Sequence, residues 1–156
     1  MQAIILMGIQ ASGKTTFYVQ RFLHSHVRIS QDLLRTRHRE KLFLQACLDT
    51  LQPFVVDKTN ALAEERRKYI ELAKAAHFEV VGYYFIPDVS GALRRNATRP
   101  PKQVVPDIAI FGTRKKFEIP TYAEGFDRIY HVELQKEDFA VHEMPHENPA
   151  NANFRV

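Results

Sequence analysis

Gly8-Ile9-Gln10-Ala11-Ser12-Gly13-Lys14-Thr15 follows directly on the apolar run Ala3-Ile4-Ile5-Leu6-Met7. The octapeptide fits G-x-x-x-x-G-K-[ST], a phosphate-wrapping loop set between a strand and a helix. Backbone N–H groups close on a polyphosphate only where side chains leave room, and Gly8 and Gly13 occupy the positions where that room is needed. Lys14 supplies a point charge for the β- and γ-phosphates, and the Thr15 hydroxyl is a ligand for Mg²⁺. The helix that follows points the positive end of its dipole at the same anion. The stretch predicts binding of a nucleoside triphosphate with Mg²⁺. Its contact residues are Gly8, Ser12, Gly13, Lys14, Thr15 and Thr16.

Outward from this loop, short β-branched runs alternate with helical patterns. Strands are predicted at 3–7, 27–29, 54–56, 79–85 and 128–133, and helices near 14–22, 32–51, 62–76, 88–98 and 106–117. Asn60 is the expected N-cap of the third helix, with Glu64 and Glu65 in its first turn. Such alternation predicts an α/β architecture, the P-loop NTPase fold. Its sheet would have five parallel strands, with helices on both faces and an arginine-bearing lid. The kinase-sized unit is expected over 1–134. The stretch 135–156, rich in Asn, Pro and Glu towards its end, is expected to be a loosely ordered tail.

The 156 residues suffice for one domain with a substantial core, and 45% hydrophobic against 26% charged residues is a globular balance that excludes a disordered chain. Cys47 is the only cysteine, so no internal disulfide forms. No charged n-region precedes the first strand and no apolar run approaches membrane-spanning length, so a soluble, cytoplasmic protein with no membrane partner is expected. The net charge of +4 is mild, but basic residues cluster. Arg28, Arg35, Arg37, Arg39 and Lys41 form one group, and Arg94, Arg95, Arg99 and Lys102 another, which suggests that more than one phosphate is handled.

Acids stand at two further strand ends. Asp57 ends Val55-Val56-Asp57, where a metal-shell acid belongs, and Asp32 lies just beyond Arg28-Ile29-Ser30-Gln31. Phosphoryl transfer needs a cradle, a metal, a group that orients or deprotonates the nucleophile, and cations that spread equatorial charge. Asp57 with Thr15 suits the metal, Asp32 the acceptor's proton, and Arg35, one turn past Asp32, a phosphate on the acceptor. Arg95 and Arg99, one helical turn apart, suit a lid over the triphosphate. His142-Glu143-Met144-Pro145-His146 matches H-E-x-x-H, but Pro145 opposes the helix that zinc binding needs, so no zinc is expected.

Taken together these stretches resemble the polynucleotide 5′-hydroxyl kinase family. The resemblance rests on Gly8–Phe17, Ser30-Gln31-Asp32 with Arg35, Val56-Asp57-Lys58-Thr59-Asn60, Arg94-Arg95-Asn96 with Arg99, and Phe117–Phe126. It implies that Lys14 and Thr15 bind ATP·Mg²⁺, that Asp32 is the general base for a 5′-hydroxyl, and that Arg35 holds a phosphate of the acceptor strand. Asp57 would serve the metal shell or orient the acceptor, and Arg95 and Arg99 would act from the lid on the donor phosphates. The sequence departs from the family in reading Ile9-Gln10-Ala11 where a Pro-Gly pair is frequent, and a bare kinase module is expected. The implied reaction is transfer of the γ-phosphate to the 5′-OH of a DNA or RNA oligonucleotide. Two alternatives are a small-molecule or zeta-toxin-like P-loop kinase and an ATP-binding switch without transferase activity.

Overall fold

The run Ala3–Met7 is buried along its whole length, which requires cover on both sides of the strand that contains it. In the computed structural model, which describes residues 1–136 and 138–146, that strand is β1 (Gln2–Met7) at the centre of the sheet. The chain continues through α1 (Lys14–Arg21), β2 (Val27–Ile29), α2 (Gln31–Leu34), α3 (Arg37–Asp49), β3 (Phe54–Asp57) and α4 (Ala63–Ala75). It then forms β4 (Glu79–Phe85), α5 (Val89–Ala97), α6 (Asp107–Lys116), β5 (Arg128–Gln135) and β6 (Asp138–Glu143). The sheet order is β2-β3-β1-β4-β5-β6. All pairs are parallel except β5 with β6.

Successive side chains of β1 enter opposite cores, as the two-residue period of a strand demands. Ala3, Ile5 and Met7 pack with Leu44, Leu48, Tyr69, Ile70 and Ala73, the inner faces of α3 and α4. Ile4 and Leu6 join Phe17, Tyr18 and Phe22 of α1 and its C-terminal end. Phe17 is the hub of that second core. Its ring centroid lies 5.1 Å from Tyr83, 5.4 Å from Phe85 and 5.1 Å from Phe139. Complete burial of a ring this size contributes about 2–3 kcal/mol.

Three expectations need correction. The sheet has six strands rather than five, because Asp138–Glu143, inside the stretch expected as a loose tail, pairs antiparallel with β5. Phe139 drives this by inserting against Phe17, and Val141 packs on the same core two residues on. The rest of that stretch, 147–156, lies outside the described residues. The helix expected over 32–51 is two helices. Arg35 turns left-handed at φ 67°, and Thr36 begins α3 by accepting a hydrogen bond from the Arg39 N–H at 3.2 Å. Asn60 does not cap α4. The cap is Leu62, whose N–H donates to the Glu65 carboxylate at 3.1 Å, while Ala63 N–H donates to Glu118 at 2.7 Å.

A fully buried guanidinium ties the far end of the chain to this frame. Arg66 of α4 pairs two-pronged with Glu124 at 2.6 and 2.7 Å. It also donates to the carbonyls of Asn60 and Glu118, each at 3.0 Å. The 117–126 segment is thereby clamped to the loop that follows β3. Arg66→Ala strands a carboxylate and several carbonyls with little access to water, so a loss of about 3–5 kcal/mol is expected on urea unfolding. Arg66→Lys, which lacks the planar fork, recovers only part of it. A loss below about 1 kcal/mol for the alanine variant would remove the clamp from this account.

Candidate active site

The pairing of β1 with β3 places Leu6 opposite Asp57, so the glycine loop and the β3 acid leave the sheet side by side. The loop is hooked to its neighbour at two points. Gly8 N–H donates to the Thr59 carbonyl at 3.0 Å, and the Asn60 amide donates to the Leu6 carbonyl at 2.7 Å. Asn60 thus holds β1 at its exit, which explains its burial and its left-handed backbone at φ 45°. Gly8 is required by space. A Cβ there would stand 2.8 Å from the Phe85 Cβ and 2.9 Å from Ser12 Oγ. Gly13 is required by conformation, since it begins α1 at φ 97° and contributes no side-chain cap. The first N–H groups of α1 are left for an anion.

Lys14 is folded back into the loop it terminates. Its ammonium donates to the carbonyls of Gly8 at 2.9 Å and Ile9 at 2.6 Å, and to Ser12 Oγ at 3.2 Å. All three protons are used, so the buried charge is satisfied. Desolvation nevertheless pulls its pKa down to about 8. The Asp57 and Asp32 carboxylates oppose that shift, and the Arg99 guanidinium adds to it. The structure therefore gathers Lys14, Asp57, Asp32 and Arg99 within one electrostatic neighbourhood.

Thr15 Oγ1 donates to Asp57 Oδ2 at 3.0 Å. A hydroxyl and a carboxylate converging at one point are a hard oxygen pair, which suits Mg²⁺ and disfavours softer ions. Asp32 stands exposed in the first turn of α2. Arg35 is also exposed, but it occupies the break after α2, so the shared helical face expected for the two does not exist. Thr16 is exposed on the first turn of α1. Arg95 is bound to the loop itself, with Nε donating to the Ala11 carbonyl at 2.7 Å. Arg99 lies just past the end of α5 rather than within it.

Other functional side chains escaped the sequence reading. Arg28, grouped there with cations expected to handle phosphate, instead pairs with Asp57 at 2.7 Å. Buried Asn96 staples the lid by donating to the Val105 carbonyl at 2.7 Å and accepting from its N–H at 3.1 Å. The Gln10 amide of the loop donates to Thr113 of α6 at 2.9 Å. Buried Glu40 on α3 collects Lys58 at 3.2 Å, Lys68 at 2.9 Å and the Tyr69 hydroxyl. Its i, i+3 spacing from Arg37 carried no hint of these partners, because they come from β3's loop and α4. Of the H-E-x-x-H residues, His142 and Glu143 end β6 and His146 stacks on Tyr122, a strand and its extension rather than a helix.

The strand–loop–helix with its buried lysine, the acid at the adjacent strand tip and the arginine-bearing lid define a P-loop kinase fold. The family model described as an AAA domain matches residues 4–120, and the chain belongs to that family. It is 25% identical over 138 residues to a bifunctional polynucleotide phosphatase/kinase of Schizosaccharomyces pombe, covering 84% of this chain and 33% of the relative. It is 30% identical over 138 residues to a putative bifunctional polynucleotide phosphatase/kinase of Acanthamoeba polyphaga mimivirus, covering 82% of this chain and 32% of the relative. The chain thus spans about a third of the length of these curated relatives. Among solved structures, Chaetomium thermophilum Kti12 in complex with ADP-AlF3 superposes with a TM-score of 0.61 at 16% identity. That match covers 87% of this chain and 91% of the other, and it establishes a shared fold.

The Glu40 cluster yields a pH signature. Burial pushes the Glu40 carboxyl up, but hydrogen bonds from Tyr69 and Lys68 and the charges of Lys58 and Lys68 outweigh it, leaving the group below its usual 4.5. A carboxylate with a lowered folded-state pKa adds stability above the unfolded value and loses it as pH falls through the folded one. Wild-type stability is therefore expected to drop below about pH 4.5 more steeply than that of Glu40→Gln, read from urea midpoints across the acid range. Parallel curves for the two proteins would contradict this.

Proposed function

We propose that the chain is an ATP-dependent kinase that transfers the γ-phosphate to the 5′-hydroxyl of a DNA or RNA oligonucleotide. The observation that carries the acceptor side is a cleft of about 370 Å³ lined by Gln31, Arg37, Lys58, Thr59, Asn60, Glu65 and Lys68. Its lining includes the residue before Asp32 and three cations against the single carboxylate of Glu65. Lys58 and Lys68 share buried Glu40, which leaves Arg37 to favour an acceptor with phosphates on its own backbone. The polynucleotide phosphatase/kinase relatives support the same acceptor.

In this reading Gly8, Ser12, Gly13, Thr15 and Thr16 hold the donor phosphates, and Lys14 exchanges the Gly8 and Ile9 carbonyls for phosphate oxygens. Thr15 and Asp57 would hold Mg²⁺, which when bound neutralises phosphate charge. Asp32 takes the proton of the attacking hydroxyl as its oxygen bonds to phosphorus and the bond to the ADP oxygen breaks in line. Arg99, whose charge reaches Lys14, spreads the equatorial charge, and Arg95 fixes the lid to the loop. Arg35 grips a phosphate of the acceptor strand. Among the described residues no helix is long and apolar enough to cross a membrane. A reducing compartment such as the cytoplasm suits the buried free thiol of Cys47.

The test is transfer from γ-labelled ATP to a panel of 5′-OH oligonucleotides and small alcohols. Oligonucleotides are expected to take the label, with a KM that rises steeply with salt. Asp32→Ala should lower kcat by about 10²–10⁴-fold while leaving ATP affinity within about threefold. Labelling of small alcohols alone, or an undiminished rate for Asp32→Ala, would overturn the acceptor or the base respectively.

A further inference from the structure

Arg28 occupies the position where the proposed metal pair converges. From β2 its Nε donates to Asp57 Oδ2 at 2.8 Å and its Nη2 approaches the same oxygen at 2.7 Å. The same Nη2 donates to Thr15 Oγ1 at 3.1 Å. Thr15 Oγ1 and Asp57 Oδ2 are 3.0 Å apart, so one guanidinium touches both atoms assigned to Mg²⁺. The Asp57 side chain is 4% exposed and the Arg28 side chain 26% exposed. The carboxylate is thus sealed in, whereas the cation above it reaches solvent.

A carboxylate this buried is costly to leave without a counter-charge. Before a metal arrives, the requirement is met by Arg28. The cation need not remain there, because its guanidinium carbon also lies 5.8 Å from the Tyr18 ring centroid, an aromatic face able to receive it. Its place in the sheet makes the arrangement specific. Arg28 is paired with Val55, two residues before Asp57 on the adjacent parallel strand, so the side chain runs along the sheet towards the strand tip.

We infer that Arg28 is the resident counter-cation of the metal site, a positioning residue that holds Thr15 and Asp57 in place and that Mg²⁺ must displace. The inference rests on the proposed assignment of Thr15 and Asp57 to the metal. Two consequences follow from one cation excluding another. The wild-type protein tolerates a triphosphate without metal, because Asp57 is already neutralised. The metal alone binds the wild type weakly, because it competes with a tethered charge at short range.

The experiment compares wild type with Arg28→Gln and Arg28→Lys. Fluorescent ATP binding is measured in EDTA and in Mg²⁺, and Mn²⁺ binding to the nucleotide-free protein is followed by electron paramagnetic resonance. Arg28→Gln is expected to weaken metal-free ATP binding about tenfold or more while changing the Mg²⁺-supported affinity less than about threefold. It should tighten Mn²⁺ binding about fivefold or more, and Arg28→Lys, which keeps a cation, should fall closer to wild type. In an Asp57→Asn background the Arg28→Gln effect on Mn²⁺ should vanish, which separates competition at one site from general loosening. Thermal melts identify any variant that does not fold, and Arg28→Met, which also removes the cation, then replaces Arg28→Gln in the comparison. Unchanged Mn²⁺ affinity with an unchanged ratio of metal-free to metal-supported ATP binding would overturn the inference. Failure of every form to bind ATP would instead remove the kinase reading, and the Mn²⁺ comparison would still decide the role of Arg28.

Discussion

The parallel ladder between β1 and β3 governs the rest of the molecule. Four consecutive residue pairs, from Ala3 with Phe54 to Leu6 with Asp57, set where each strand ends. Because the two strands stop within one residue of the same level, the loop from one and the acid from the other meet. A shift of one residue would reverse which face each β1 side chain enters, exchanging the sets now packed on α3 and α4 and on α1. Burial of β1 on both faces makes such a slip prohibitive. Precision at the cradle is therefore a by-product of hydrophobic packing below it.

Much of this was legible in the chain because it depends on short-range pattern. The apolar run, the glycines and the lysine specify strand, loop and helix with local information alone, and the four other parallel strands announce themselves as β-branched runs. What escaped depends on partners distant in sequence. Arg28 reads as one of a phosphate-handling basic group until the β2–β3 pairing brings it alongside the strand that ends in Asp57. Glu40 carries no local signal, because its partners Lys58, Lys68 and Tyr69 arrive from elsewhere. β6 was legible in principle, since Phe139 and Val141 alternate with more polar neighbours. The polar composition of the residues beyond it masked that six-residue signal. The break at Arg35 was hidden because Thr36 marks a cap only if the chain already turns.

Buried charges give this site its loop geometry. Arg66 and Glu40 are each withdrawn from water, and each is surrounded by several partners drawn from different elements. Such clusters add less net stability than an equal volume of apolar packing would, because desolvation offsets most of the attraction. Their directional bonds nevertheless reject alternative loop arrangements. Lys58, in the turn after β3, is held from below by Glu40, while Asn60 in the same turn is held by Leu6 and reached by Arg66. The turn that follows β3 is thus braced from two directions.

The Asn96 staple has a mechanical meaning. By closing on both polar groups of the Val105 backbone, it converts the eight residues between them into a loop pinned at its neck. Arg99, carried on that loop, has little freedom to sweep independently. Its travel is that of a paddle fixed to the end of α5, and the paddle's other attachments are the Arg95–Ala11 and Gln10–Thr113 bonds to the cradle itself. In the proposed kinase, opening of this cover would tug on the glycine loop through both α5 and α6, so that withdrawal of the guanidinium and release of the donor would be geared together.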